Sequence, residues 1–398
     1  MFGGIRKVLG ACVALALSAA VPAHADAPPV RVGISAEFGV VGSTSAQAVQ
    51  MGAQIAADEI NAAGGVLGGR RIEVVVKDDR SVPARAIRNL QEFAADPDVV
   101  AVLCGKYSPV VVEAVPEVHR LGLPLLDPWA AADPITEHGF SPDYVFRLSM
   151  RDSWAMEAMA AHARERGATR IGMLLPNTEW GRSSERAMRR LEADGQAPRI
   201  VATGWYNWGE ASMLEHYRGV LAAGAEVFVL VANEREGALL VRDVATLPAA
   251  QRLPVLSHWG VTGGSFFDSA GAALREVDFA VVQTYSFIGA TDPVARRVVE
   301  AAVRRGAAGE RHIASPVGVA HAYDLVRILA KAIDAAGSAD RAAVRDALES
   351  VRDYQGLVAN LERPFAPGRH DALSAGRVFL ARYASDGAIE RIPDGRGN

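Results

Sequence analysis

Cysteine is nearly absent from this 398-residue chain. Cys12 falls in an amino-terminal stretch expected to be removed, so only Cys104 remains and an intrachain disulfide is excluded. Stability must come from core burial, and a chain of this length has apolar material for two domains. Lysine is also scarce, with Lys77, Lys106 and Lys331 alone beyond that stretch. Neither charge dominates: 42 basic residues face 46 acidic ones, and without Arg6 and Lys7 the balance is 40 to 46, a net charge of −6. That balance argues against nucleic acid as a partner. Aromatic residues make up 7% of the chain, so tryptophans gathered in loops are informative. After residue 25 no apolar run approaches the roughly 20 residues of a membrane helix.

The amino terminus reads as an export signal. Arg6 and Lys7 form a short positive region, and Val8 to Val21 an apolar run too short to span a bilayer. Ala23-His24-Ala25 fits a small-x-small cleavage site, so residues 1–25 are the signal peptide and the mature chain begins at Asp26. A lipoprotein signal at Leu9-Gly10-Ala11-Cys12 is disfavoured, because most of the apolar run follows Cys12. The mature protein is expected to be soluble and outside the cytoplasm.

Val30 to Asp79 holds a strand, a small-residue loop, a long helix, a glycine stop and a second strand. Val30, Val32 and Ile34 begin the first strand, and Gly39 to Ser45 form the loop. Val49, Ala53, Ala56 and Ile60 lie on one helix face. Gly64-Gly65 end the helix, and Ile72, Val74 and Val76 start the next strand. This βαβ unit predicts a parallel sheet with working loops at the carboxyl ends of its strands.

The alternation continues through Val99 to Cys104, a helix to Leu121, Leu123 to Leu126 and Tyr144 to Leu148. Asp152 is expected to cap a helix to Arg166. The pattern then restarts with strands at Arg170 to Leu175, Ile200 to Trp205, Glu226 to Val231, Pro254 to Leu256 and Phe279 to Gln283. The last third is helical, at Pro293 to Arg305, Val319 to Ala335 and Asp340 to Ser350, and reads as packing onto the first lobe. The fold class is therefore α/β, with two doubly wound parallel-sheet lobes joined by a multi-strand hinge. Residues 26–149 and 285–362 are assigned to lobe 1, and 150–284 and 363–398 to lobe 2. Two such lobes leave a cleft between their strand ends, where ligands bind and hinge closure follows.

Four places put aromatic or polar residues just past a strand end. Gly105 to Ser108 is the first: Ser108 before Pro109 suits a helix N-cap, and a helix amino terminus also attracts a carboxylate. Lys106 could add a positive partner, although a solvated surface lysine is the simpler reading. Asp127 to Ala131 is the second: Ala130 and Ala131 expose backbone groups, and Trp129 is a pocket wall or a cover for the lobe edge. Trp180 before Gly181 and Trp259 between His258 and Gly260 complete the set. Together they suggest an aromatic-walled cleft. Trp205 and Trp208 are weaker candidates. Asp78-Asp79 reads as a solvated or capping pair, and His321 as helix packing.

Catalysis finds little support. No G-x-S-x-G turn, H-E-x-x-H or G-x-G-x-x-G is present, and the histidines are dispersed. No catalytic residue, metal site or cofactor is expected.

These segments resemble the type I periplasmic solute-binding proteins of ABC transporters, in particular the leucine/isoleucine/valine-binding group. The resemblance rests on VRVGISAEFG at 30–39, MGAQIAADEINAAGGVLGGRRIEVVVKDD at 51–79 and LPLLDPWAAADPIT at 123–136. RIGMLLPNTEWGRSSERAMRRLEADG at 170–195 and HAYDLVRILAKAIDAAG at 321–337 extend it over nearly the whole mature chain. The resemblance implies a periplasmic receptor that binds a small solute and delivers it to an inner-membrane ABC permease and its ATPase. It implies a monomer, with sensing for a membrane histidine kinase or chemoreceptor as the alternative role. Ser108 and Ala130-Ala131 match the positions that hold a ligand carboxylate, with Tyr107 beside them. Trp180 stands where tyrosine is usual, Asn233 falls near another contact, and Ser45 replaces a frequent tyrosine. Trp259 takes the place of the glutamate that pairs with an α-ammonium, and Ser81 opposite Cys104 leaves a disulfide pair incomplete. Losing that glutamate argues against an ordinary α-amino acid, since a buried ammonium without a partner costs several kcal/mol. A small organic acid or amide with an apolar or aromatic part is favoured, with an amino acid as the default that the resemblance implies.

Overall fold

The computed structural model describes residues 28–393 together with Met1. The expected signal peptide, its cleavage site before Asp26 and residues 394–398 lie outside the described residues.

The first body is built on β1 (Val30–Ala36), α1 (Ser45–Ala62), β2 (Ile72–Asp78), α2 (Pro83–Ala94), β3 (Val99–Cys104), α3 (Ser108–Leu121), β4 (Leu125–Asp127) and β5 (Val145–Arg147). Its sheet runs β2-β1-β3-β4-β5, all parallel. β3 is buried along its whole length, as its unbroken apolar run demands of a strand covered on both faces. The predicted helix face is the buried face of α1, and Gly64 and Gly65 follow it with positive φ.

The second body begins with α4 (Asp152–Glu165), β6 (Arg170–Pro176), α5 (Glu179–Ala193), β7 (Arg199–Tyr206), α6 (Leu214–Ala222), β8 (Val227–Leu230) and α7 (Glu234–Ala245). It continues through β9 (Val255–Ser257), a 3-10 turn at Trp259–Gly263, α8 (Phe266–Ala270) and β10 (Phe279–Gln283). The chain then returns as α9 (Pro293–Arg304), α10 (Pro316–Ala336), α11 (Arg341–Leu348) and the hairpin β11 (Tyr354–Gln355) and β12 (Asn360–Leu361). These helices share one core with β1 and α1. β13 (Phe379–Tyr383) and β14 (Ile389–Arg391) finish the second sheet, whose order is β14-β13-β10-β9-β8-β6-β7. Its strands are parallel except at the β10-β13-β14 edge.

Three local expectations change. Asp152 is the first helical residue of α4 with Arg151 as N-cap, so its carboxylate does not cap the helix. Ser108 likewise opens α3 behind the N-cap Tyr107. Asp79 is buried, not solvated, and accepts from Ser35 Oγ and Ser81 N. The stretch from residue 363 does not go directly to the second body: Phe365, Ala372 and Leu373 sit in the first core. The reason is the open edge of β5. Arg147 N donates to His370 O and Ala372 N to Arg147 O, both at 2.8 Å, so this segment covers the edge before the chain crosses to β13.

In each sheet the strand order reverses once, between β1 and β3 and between β6 and β8. Crevices open at the carboxyl ends of strands at such points.

Candidate functional site

Loops after β3 and β4 of the first body meet loops after β6, β8 and β9 of the second. Between them lies a narrow cavity with about 10 Å3 of open space, lined by Lys106, Ser108, Trp129, Ala131, Trp180, Asn233, Trp259 and Gly260. The structure thus brings together seven of the ten residues singled out from sequence. The Trp129 and Trp259 rings, one from each body, stand 5.9 Å apart at 50°. Trp259 also lies 5.8 Å from the His321 ring of α10. Trp129 thereby joins the apolar cluster of the second body.

Ser108 Oγ accepts from the N–H groups of Ala131 (3.1 Å) and Ala132 (3.2 Å). Both its acceptor positions are used, and its own hydrogen remains to donate. Lys106 is buried, contrary to the simpler surface reading. Its Nζ donates to Glu234 Oε2 at 2.6 Å and to Gly263 O at 3.4 Å. This ion pair joins the first body to the first turn of α7. Sequence reasoning missed Glu234, although an acidic residue just inside a helix start was a visible signal.

Trp180 is held from behind. Its Nε1 donates to Asp152 Oδ1 at 3.1 Å, and its ring stands edge-on to His258 at 5.0 Å. His258 Nε2 lies 3.0 Å from the same Asp152 oxygen, with both side chains fully buried. That contact makes no hydrogen bond. Burial raises the Asp152 carboxyl above its ordinary range, and His258 opposes the rise. The pair was not foreseen. His321 donates through Nδ1 to Pro128 O at 2.7 Å and meets Thr284 Oγ1 at 3.0 Å. Burial lowers its pKa to about 4, so it is neutral.

Three candidates lie outside the cavity lining. Ser45 is buried against Glu37 Oε1 and lies 2.8 Å from Ser43 Oγ, which leaves its hydroxyl no reach into the cleft. Ala130 turns inward because its N–H donates to Asp127 Oδ1 at 2.8 Å. Tyr107 faces a separate cavity inside the first body and meets Trp208 edge-on at 5.5 Å.

The bodies also touch beside the site. Thr44 N donates to Gly263 O and Ser265 N to Gly42 O, each at 2.8 Å. Gly264 is required here, since a Cβ would stand 2.0 Å from Gly42 O.

Three comparisons bear on this arrangement. A profile described as periplasmic binding protein matches residues 29–388. Leu/Ile/Val-binding protein homolog 1 of Brucella abortus is 25% identical over 362 residues, covering 90% of this chain and 92% of the relative. The type 1 periplasmic binding protein of Bordetella pertussis Tohama I superposes with a TM-score of 0.82 at 21% identity, over 92% of this chain and all of that one. The branched-chain amino acid binding protein LivJ of Streptococcus pneumoniae, in complex with isoleucine, does so with a TM-score of 0.77 at 21% identity, over 92% and 99%. These relatives are named as binding proteins and not as enzymes. The chain belongs to the periplasmic binding protein family.

Proposed function

We propose that the chain is an exported, monomeric receptor that traps a small organic acid or amide with an apolar or aromatic part. It hands that solute to an inner-membrane ABC permease and its ATPase. The supporting observation is the cavity shared by the two bodies, walled by Trp129, Trp180 and Trp259 and edged by Ser108. Indole walls suit a planar or apolar group, and the Ser108 hydroxyl and Asn233 amide offer polar anchors. Contacts that both bodies make only when closed drive closure.

The relatives named above argue for a branched-chain amino acid, and the pneumococcal neighbour holds isoleucine. The charge pattern argues the other way. No carboxylate lines the cavity among the described residues. Glu234, close beside it, is already neutralised by Lys106 at 2.6 Å. An α-ammonium would have to displace that lysine, and separating a buried pair costs about 3–5 kcal/mol. With about 10 Å3 of open space, roughly one water's worth, the cavity has to widen before a solute is seated.

Calorimetric titration of the mature protein with amino acids, aromatic carboxylates and amides tests the reading. An aromatic carboxylate or amide is expected to bind one per chain, ahead of leucine, isoleucine and valine. Preference for the branched-chain amino acids overturns the ligand class. Absence of all binding, with hydrolytic turnover instead, overturns the receptor.

A further inference from the structure

The histidines look dispersed in sequence, but the fold gathers two of them beside an aspartate. His119 ends α3, and His138 and Asp143 lie in the loop before β5. Their ligand atoms all fall within 4.8 Å of one another. This cluster lies apart from the solute cavity, with none of its residues in that lining.

The two histidine–carboxylate distances fit an ion. His119 Nε2 is 3.4 Å and His138 Nε2 3.3 Å from Asp143 Oδ1. A tetrahedron with metal–ligand bonds of about 2.0–2.1 Å has edges of about 3.3–3.4 Å. His119 Nδ1 lies 2.8 Å from Val115 O, a pure acceptor, so Nδ1 carries the hydrogen. The Nε2 lone pair therefore points at the cluster, where Tyr144 N donates to it at 3.1 Å. Asp143 Oδ1 in turn accepts from Val145 N at 2.8 Å. His119 Nε2 and Asp143 Oδ1 are also in hydrogen-bond contact at 3.4 Å, and an ion on Nε2 would displace both that contact and the Tyr144 N–H. His138 Nε2 is buried with no hydrogen-bond partner.

We propose that His119 Nε2, His138 Nε2 and Asp143 Oδ1 form a binding site for a divalent first-row transition ion of the Zn2+ class, with solvent completing the tetrahedron. Two imidazoles and a carboxylate are the donor set such ions prefer over Mg2+ or Ca2+. His370 Nδ1, 3.0 Å from Asp143 Oδ2, holds the carboxylate from its far side. An open groove past Phe140 and Tyr144 gives the ion a path. Loading shifts the His138 proton to Nδ1, which gives up the 3.2 Å bond from Phe140 N. That bond is exposed, so the cost is small.

The test uses Zn2+ itself on the mature chain, by calorimetry, with Co2+ as a visible-absorption reporter of geometry. One ion per chain and a tetrahedral Co2+ spectrum are expected. H138Q and H119Q are each expected to lose about tenfold or more in affinity with an unchanged solute response. Absence of stoichiometric binding overturns the site, and so does native affinity in both variants. A failed solute reading leaves this result untouched, because none of the three ligand residues lines the solute cavity.

Discussion

Lys106 gives up nearly all its hydration for one carboxylate. Its side chain is 1% exposed and that of Glu234 8%. A buried pair of this kind contributes little net stability, but removing one partner strands the other. Because the two residues belong to different bodies, the cost falls on the closed state; opening returns Glu234 to water. The K106M variant is expected to weaken solute binding by about a hundredfold or more, about 3 kcal/mol, while the melting temperature of the free protein barely moves. Adding E234L should recover much of the loss, as calorimetry can show. At this scale the sequence was readable in part. Tryptophans beyond strand ends stood out because indoles are rare here and sat among glycine and polar residues. The orientation of Ala130, Tyr107 and Ser45 was not readable, since each is set by one hydrogen bond or ring contact with residues distant in the chain.

Helix α10 is the element that ties body to site. It crosses α1 so closely that a Cβ on Gly52 would stand 2.1 Å from Val319 O. Replacing Gly52 by Ala must shift backbone, and overpacking of this kind costs about 1–3 kcal/mol. Thermal unfolding should show a clear loss. The same helix carries His321, neutral in the fold with its pKa lowered from 6.5 to about 4. Between these values the unfolded chain binds more protons, so stability from this group rises with pH from about 4 to 6.5 and is full above that. The effect is worth about 3 kcal/mol at most. Burial raises Asp127 and Asp324 to about 6 and Asp79 to about 7, and these act in the opposite direction. Subtracting the unfolding curve of H321Q from that of the native chain cancels the aspartates. The difference should shrink as pH falls from 6.5 to 4, and a flat difference contradicts the assignment. Long apolar strands and amphipathic helices were legible because burial enforces their period. The β5 edge cover at residues 365–373 was not, for it has no periodicity and is defined by the strand it shields.

Across the whole molecule, closure depends on two loops that meet at glycine. A side chain at Gly264 would run into Gly42 O, so G264V is expected to hold the bodies apart. Small-angle scattering of that variant should show no contraction when solute is added, whereas the native chain contracts. The two-body plan followed from the restart of the βα pattern near Arg170. The three crossings between bodies did not show as linkers, because each is a short stretch with ordinary composition.

The central claim is that a solute sits between the bodies with indole rings as its walls, and Trp259 tests it most directly. Its ring partners Trp129 and His321 belong to the first body and His258 to its own, so parting the bodies would remove the first two contacts. Calorimetric titration of native and W259A chains with the tightest carboxylate or amide is the measurement. The account predicts one site per chain, affinity lowered more than about tenfold in the variant, and a free-protein melting temperature nearly unchanged. Equal affinity, or a variant whose free form melts far earlier, would place Trp259 in the core and contradict it.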